Sequence, residues 1–223
     1  MSTAILFTGL VCGGTFDRLL EQTKNIPHKF ASIWENEHPA YVQRLIENNF
    51  TIVTSEVKVQ EVYLAQFIPV VNGLQRIKDD GFQYVLKTRF DVISPSFMKY
   101  IEVVQQAFKT KITVLGGIQT NTTYFIQIME YGNIDDMSRF YTNQPKEDSS
   151  IRYPEQFLME TYAKKCNLTK EDIKEIFNFS LPLCIEHNIE FIWYRPNSWM
   201  APNITIPDMR VIGEYCNSSF LWV

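Results

Sequence analysis

The chain has 223 residues, 45% apolar, 14% aromatic and 21% charged, with a formal net charge of −4. A globular chain of this length buries roughly 70–75% of its unfolded surface, and the composition excludes disordered, collagen-like and low-complexity classes. The acidic balance argues against a duplex nucleic-acid binder, which needs a basic face, but not against a nucleotide, which needs only a local cluster of donors.

No run of about 18 apolar residues occurs, so no transmembrane segment is expected. Met1 to Thr8 lacks the basic start and long apolar stretch of a signal peptide and reads as a first strand. The four cysteines, Cys12, Cys166, Cys184 and Cys216, are scattered with no CxxC pair, as expected of reduced thiols in a cytoplasmic protein. Six N-x-S/T sequons begin at Asn49, Asn121, Asn167, Asn178, Asn203 and Asn217; without a secretion signal they are expected to stay unmodified.

Ala4–Thr8 is a buried-strand pattern, followed by a loop with Gly9, Gly13 and Gly14 and by Thr15, a candidate N-cap for a helix through Thr23. Lys29–Trp34 is a second strand, Pro39 opens a helix through Glu47, and Phe50–Thr54 is a third strand. In Val62–Asp79, Leu64, Phe67, Ile68, Val71, Leu74 and Ile77 recur every three or four residues, giving one apolar helical face. Gly81 ends that helix and Tyr84–Lys87 forms a fourth strand. Such strand–helix repeats predict a mostly parallel sheet with helices on both sides.

Beyond Asp91 the rhythm changes. Pro95–Phe108 reads as a helix, Lys111–Leu115 and Tyr124–Glu130 as strands, and Asp135-Asp136-Met137 as an acidic helix start. Asn143–Ser150 reads as a mobile polar loop, Pro154–Lys165 and Lys170–Phe177 as helices, and Glu190–Tyr194 as a late strand. The expectation is one α/β domain, with a nucleotide-binding half over about 1–92 and an irregular acceptor-side half over about 93–223. The apolar end Phe220-Leu221-Trp222-Val223 would suit packing onto a further domain or partner.

Ligands of open α/β sheets bind beyond the carboxyl ends of the strands, which directs attention to the residues after Thr8, Trp34, Thr54 and Lys87. In Lys87-Thr88-Arg89-Phe90-Asp91 a buried strand ends in two cations and a carboxylate. Arg89 and Asp91 can form an ordinary rim salt bridge. Alternatively, Asp91 holds Mg²⁺ or Mn²⁺ against a diphosphate while Arg89 offers a planar fork to phosphate oxygens. Thr8 and Gly9 are the candidate nucleotide contacts, because a glycine lets backbone donors approach a phosphate; the same glycines also serve a tight turn. Arg18 and Arg76 are either diphosphate ligands or solvated helix charges.

The segment Asn72–Asp91, with Gly73-Leu74, Gly81-Phe82, Tyr84-Val85-Leu86-Lys87, Arg89 and Asp91, resembles a block of small sugar transferases. These are the WavE-type lipopolysaccharide and capsule proteins of bacteria and the glycosyltransferase domains of chlorella and other large DNA viruses. Tyr124-Phe125, Gly132 to Met137 and Pro154-Glu155-Gln156-Phe157-Leu158 resemble further blocks in the same order, as do Ile5–Gly9 and Ile33-Trp34 upstream.

The resemblance implies a single GT-A-like domain with a mostly parallel Rossmann-like sheet. It implies transfer of a sugar from a nucleotide-diphosphate sugar, UDP by expectation, to a glycan or glycoprotein acceptor with Mn²⁺ or Mg²⁺. It also implies nucleotide contacts from Thr8, Gly9, Arg76, Arg89 and Asp91, the metal on Asp91, and catalytic roles for Arg89 and Glu155. The family's Asp-x-Asp falls at Arg89-Phe90-Asp91, so only its second carboxylate is present. Gln127-Ile128 stand where relatives often place an acceptor-side Asp, with Glu130 nearby.

If the reaction inverts the anomeric centre it needs a base on the acceptor hydroxyl. Glu155, heading a predicted helix, serves as that base or as a first-turn acid; Asp135 and Asp136 read as first-turn acids. His28, His38 and His187 are isolated, and His187 alone is late enough to serve as a metal ligand. Trp34, Tyr131, Trp193 and Trp199 are either core residues or flat faces for a sugar or base. Two rivals remain: a nucleotidyltransferase making nucleotide sugars, and a non-catalytic sugar- or protein-binding module of the same fold. A nucleotidyltransferase usually carries a basic Gly-rich signature after its first strand, and Thr8–Thr15 contains no Lys or Arg.

Overall fold

Along strand β1 (Thr3–Thr8) successive side chains point to opposite faces. Both faces are covered: Ile5 and Phe7 enter one hydrophobic core, Ala4 and Leu6 another. A strand without a solvent side is apolar throughout, which is why this one is. The computed structural model describes residues 2–9, 11, 13–56, 62–107, 111–119, 122–142, 162, 165–169, 172, 177–194 and 203–205.

Strands β2 (Lys29–Trp34), β3 (Thr51–Ser55) and β4 (Tyr84–Arg89) run parallel to β1. The sheet continues from β4 through β7 (Thr122–Asn133) and β6 (Ile112–Gln119) to β8 (Phe177–Phe179), in the order β3-β2-β1-β4-β7-β6-β8. Among these seven strands β7 alone is reversed, antiparallel to both neighbours. The expected mostly parallel α/β sheet is present, and residues from both halves of the chain build it.

Helices α1 (Phe16–Thr23), α2 (Pro39–Glu47), α4 (Phe97–Ala107) and α6 (Leu181–Glu186) cover the face of Ile5 and Phe7. Helices α3 (Val62–Asp79) and α5 (Ile134–Thr142) cover the other face. A small antiparallel sheet joins β5 (Val92–Ile93), β9 (Ile192–Tyr194) and β10 (Asn203–Thr205). No described helix is long and apolar enough to cross a membrane.

Several boundaries differ from the sequence reading for identifiable reasons. Thr15 occupies the N-cap of α1, but its hydroxyl makes no cap bond. Helix α4 starts at Phe97 instead of Pro95, because Ser94 Oγ first accepts from Ser96 N in a turn. On α3, among the described side chains, Phe67, Pro69, Val70, Gly73, Leu74 and Ile77 are buried and Ile68 and Val71 half-buried, while the side chain of Leu64 lies outside those described. Gly73 sets this orientation: a Cβ there would come within 2.5 Å of Leu6 Cδ1, so helix and strand can approach closely only at glycine. Phe177 opens β8 instead of closing a helix. The expected loop Asn143–Ser150 and most of the expected helices Pro154–Lys165 and Lys170–Phe177 lie outside the described residues.

Within the sheet, Lys87 of β4 and Glu130 of β7 are register partners, with Nζ 3.0 Å from Oε2 and side-chain exposures of 3% and 0%. The Lys87 ammonium also lies 5.8 Å from the centroid of the Tyr141 ring on α5. An ion pair taken this far from water loses most of its gain to desolvation, yet removing one partner strands the other charge. Glu130→Ala is therefore expected to destabilise the fold by about 3–5 kcal/mol, whereas Lys87→Met with Glu130→Leu should be close to neutral; thermal unfolding of the three proteins checks this. On α6, burial pushes the Cys184 thiol up to about 12. At pH 8 it should resist alkylation in the folded protein, while half-buried Cys166 reacts, as mass spectrometry of the labelled chain will show.

Candidate nucleotide-binding edge

The parallel strands bring the ends of β1, β2, β3 and β4 to one carboxyl edge. Thr8 is the register partner of Ser32 on one side and of Arg89 on the other, and Trp34 pairs with Ser55. Register partners project to the same face of a pleated sheet, here the face covered by α3. Helix α3 runs antiparallel to the strands, since Ser32 Oγ donates to Pro69 O at 2.6 Å while Gly73 lies over Leu6. Its positive N-terminal end therefore points to the carboxyl edge.

Backbone contacts fix the two loops that matter most. Thr8 is buried and its Oγ1 donates to Thr88 O at 3.2 Å, and Phe90 N donates to Thr8 O at 3.2 Å. Gly9 follows with φ +95°, and a Cβ there would meet nothing within 4 Å among the described residues. Backbone conformation is what requires glycine here. Val11 N donates to Glu37 Oε2 at 3.3 Å, and Glu37 Oε1 accepts from His38 N at 3.0 Å. Asn72 Nδ2 donates to Ser55 Oγ at 2.9 Å, tying α3 to the end of β3.

At the end of β4, Arg89 grips Asp91 side-on: Nε donates to Oδ1 at 2.8 Å and Nη2 to Oδ2 at 2.7 Å. The side chains are 34% and 17% exposed, so the pair faces the edge instead of the core. Phe90, between them, is buried with its ring 6.0 Å from that of Phe7.

Among the described residues no group of three His, Cys, Asp or Glu side chains converges. A divalent cation held by Asp91 would therefore take its other ligands from diphosphate, water or residues outside those described.

The structure brings Thr8, Gly9, Arg89 and Asp91 together but does not bring Arg76 to them. Arg76 lies near the C-terminal end of α3, toward the opposite edge of the sheet, with its Nε 3.0 Å from Asp80 Oδ1. Arg18 is exposed on α1. Glu130 is enclosed with Lys87 and is not open to an acceptor. Opposite the Val114/Leu115 step, the register of β7 jumps from Glu130 to Ile126, so Gln127, Ile128 and Met129 have no partner in β6.

Asp135 and Asp136 sit in the first turn of α5 as read, Asp135 bridging to Lys78 at 2.7 Å. Tyr131 is buried at the amino edge, stacked 5.9 Å from Tyr84, and so is a core residue. His28 packs 4.9 Å from Phe82, His38 caps α2 through Nδ1, and exposed His187 ends α6. Glu155 and Trp199, and the side chain of Trp193, lie outside the described residues. Sequence reading missed Glu37 and the Ser55–Asn72 contact. The position of Glu37 three residues after a strand end was a usable signal; the pairing of Ser55 with Asn72 leaves none.

No family model and no curated protein matches this chain. Among solved structures, it is similar to 4-diphosphocytidyl-2C-methyl-D-erythritol synthase from Anaerococcus prevotii, at 14% identity over 80% of this chain and 86% of that one, with a TM-score of 0.49. It is also similar to CMP:2-keto-3-deoxy-manno-octonic acid synthetase complexed with CTP, at 8% identity over 75% of this chain and 87% of that one, with a TM-score of 0.45.

The geometry separates two substitutions. Gly9→Ala should lose about 1–2 kcal/mol of stability through its left-handed backbone alone, read as a lower unfolding midpoint. Arg76→Ala should leave nucleotide affinity within about twofold, since its exposed pair with Asp80 contributes little; titration calorimetry with UDP provides the comparison.

Proposed function

We propose that the chain is a glycosyltransferase that lays a nucleotide-diphosphate sugar, a UDP-sugar by first choice, across the carboxyl edge of its sheet. The observation that carries this reading is the partly exposed Arg89–Asp91 fork, which closes the segment that resembles small sugar transferases and stands beside the turn at Gly9. The donor's glycosidic C1–O bond breaks with its electron pair passing to the diphosphate, and the acceptor hydroxyl oxygen forms the new bond to C1. Arg89 stabilises the departing diphosphate by charge-assisted hydrogen bonds. Asp91 would hold Mn²⁺ or Mg²⁺, which would supply further positive charge to the leaving group. In an inverting reaction Glu155 takes the hydroxyl proton.

A second reading is nucleotidyl transfer, in which a sugar oxygen attacks the α-phosphate of a nucleoside triphosphate and pyrophosphate leaves. It uses the same arrangement of strands and helices, and the two solved structures above are named as synthases of cytidine-linked products. The first reading is preferred because Thr8–Thr15 offers no Lys or Arg to a triphosphate.

Product analysis separates them. With a panel of UDP-, GDP- and CMP-sugars and Mn²⁺, the first reading expects release of free sugar and nucleotide, reduced about 10²-fold or more in Asp91→Ala. Pyrophosphate released from CTP or UTP with a sugar would replace it by the second. Nucleotide binding without turnover of either kind would leave a non-catalytic binding module.

A further inference from the structure

Helix α2 grips the loop after β1 from behind, and we infer that Glu37 and Tyr41 are positioning residues for nucleotide binding, acting through Val11 and Gly13. The inference rests on the nucleotide-binding reading above.

The Glu37 carboxylate is a two-armed clasp. Oε2 accepts from Val11 N at 3.3 Å, and Oε1 accepts from His38 N at 3.0 Å. Val11 belongs to the loop, whereas His38 is the N-cap of α2, its Nδ1 accepting from Ala40 N at 3.2 Å. The clasp is itself anchored, because Glu37 N donates to Trp34 O at 3.0 Å in the turn that leaves β2. Two N–H donors call for two acceptor oxygens, and a glutamine would turn its NH₂ toward one of them. A carboxylate repels diphosphate oxygens, so its use at this edge is to shape the loop and not to hold phosphate.

The second contact is steric. A Cβ on Gly13 would come within 2.5 Å of Tyr41 Oη but only to 3.6 Å from Cζ. The loop passes the hydroxyl because residue 13 has no side chain. The Tyr41 ring is not free to yield: it packs edge-on 4.9 Å from Phe16 and 5.7 Å from His38, and Phe16 is buried at the start of α1. One turn further along α2, Arg44 lies over the Phe16 ring and pairs with Asp17. At the near end of the loop Thr8 O accepts from Phe90 N. The loop is thus held by the β4 side at its start and by α2 beyond it. A loop fixed before the ligand arrives spares binding the cost of ordering it.

Titration calorimetry of the full chain with UDP and Mn²⁺, alongside unfolding midpoints without ligand, tests this. Glu37→Ala should weaken UDP binding about two- to tenfold, and Glu37→Gln, which keeps one acceptor oxygen, should fall between it and the native chain. Gly13→Ala should weaken UDP binding by a similar factor. Adding Tyr41→Phe to it leaves the ring carbon at ordinary contact distance and should restore most of the affinity. A role in stability alone predicts lower midpoints with native UDP affinity in the folded variants, and that result would overturn the inference. Loss in the Glu37 variants with none in Gly13→Ala would make Glu37 a direct ligand contact and overturn it equally. If Glu37→Ala does not fold, Glu37→Gln and the Gly13→Ala pair decide. Failure of the native chain to bind UDP, or CDP in its place, would instead overturn the nucleotide-binding reading and the positioning roles with it.

Discussion

Thr3 to Thr8 pair with Tyr84 to Arg89 in parallel and without a slip, and the candidate site depends on that register. It brings the first glycine after β1 level with the cation ending β4, although 80 residues separate Gly9 from Arg89 in sequence. Were the pairing shifted by one residue, every side chain of β4 would change faces. Lys87 would then enter the core around Phe7, and Arg89 would leave the face it shares with Thr8. Apolar packing on both sides forbids that shift: Ile5 and Leu86 must enter one core, Ala4 and Val85 the other.

Two ion pairs of the same strand show how depth alone assigns different work to similar chemistry. Lys87 and Arg89 are two residues apart and on the same face. Lys87 is enclosed with Glu130 beneath Tyr141, where no ligand reaches it and where the pair ties β4 to the one reversed strand. Arg89, one pleat nearer the edge, keeps a third of its side chain in solvent with its carboxylate beside it. The first is a constraint on the fold, the second a point of access.

Much of the first half was legible from sequence because its signals are local. Pro39 opens α2, Gly81 takes φ +82° after α3, and fully buried parallel strands read as unbroken apolar runs. Thr8, Gly9, Arg89 and Asp91 could be nominated because strand ends are visible and parallel strands end together. The direction of β7 was not legible: its described residues Met129 to Gly132 are buried on both faces, as those of a parallel strand would be. Nor were the two residues of β5, too few for any periodicity. Arg76 was nominated by its place in a resembling block, but it stands a turn before the chain re-enters the sheet at the amino edge, and its partner Asp80 is a helical neighbour. Only the three-dimensional course separates it from Arg89.

Arg89 closes a strand of the large sheet, and Asp91 immediately precedes a strand of the small one. The peptide between them carries Phe90, which is anchored in the core. The fork is therefore a mechanical bridge across the seam between two sheets. Its two hydrogen bonds thus join the last residue of β4 to the residue that enters β5.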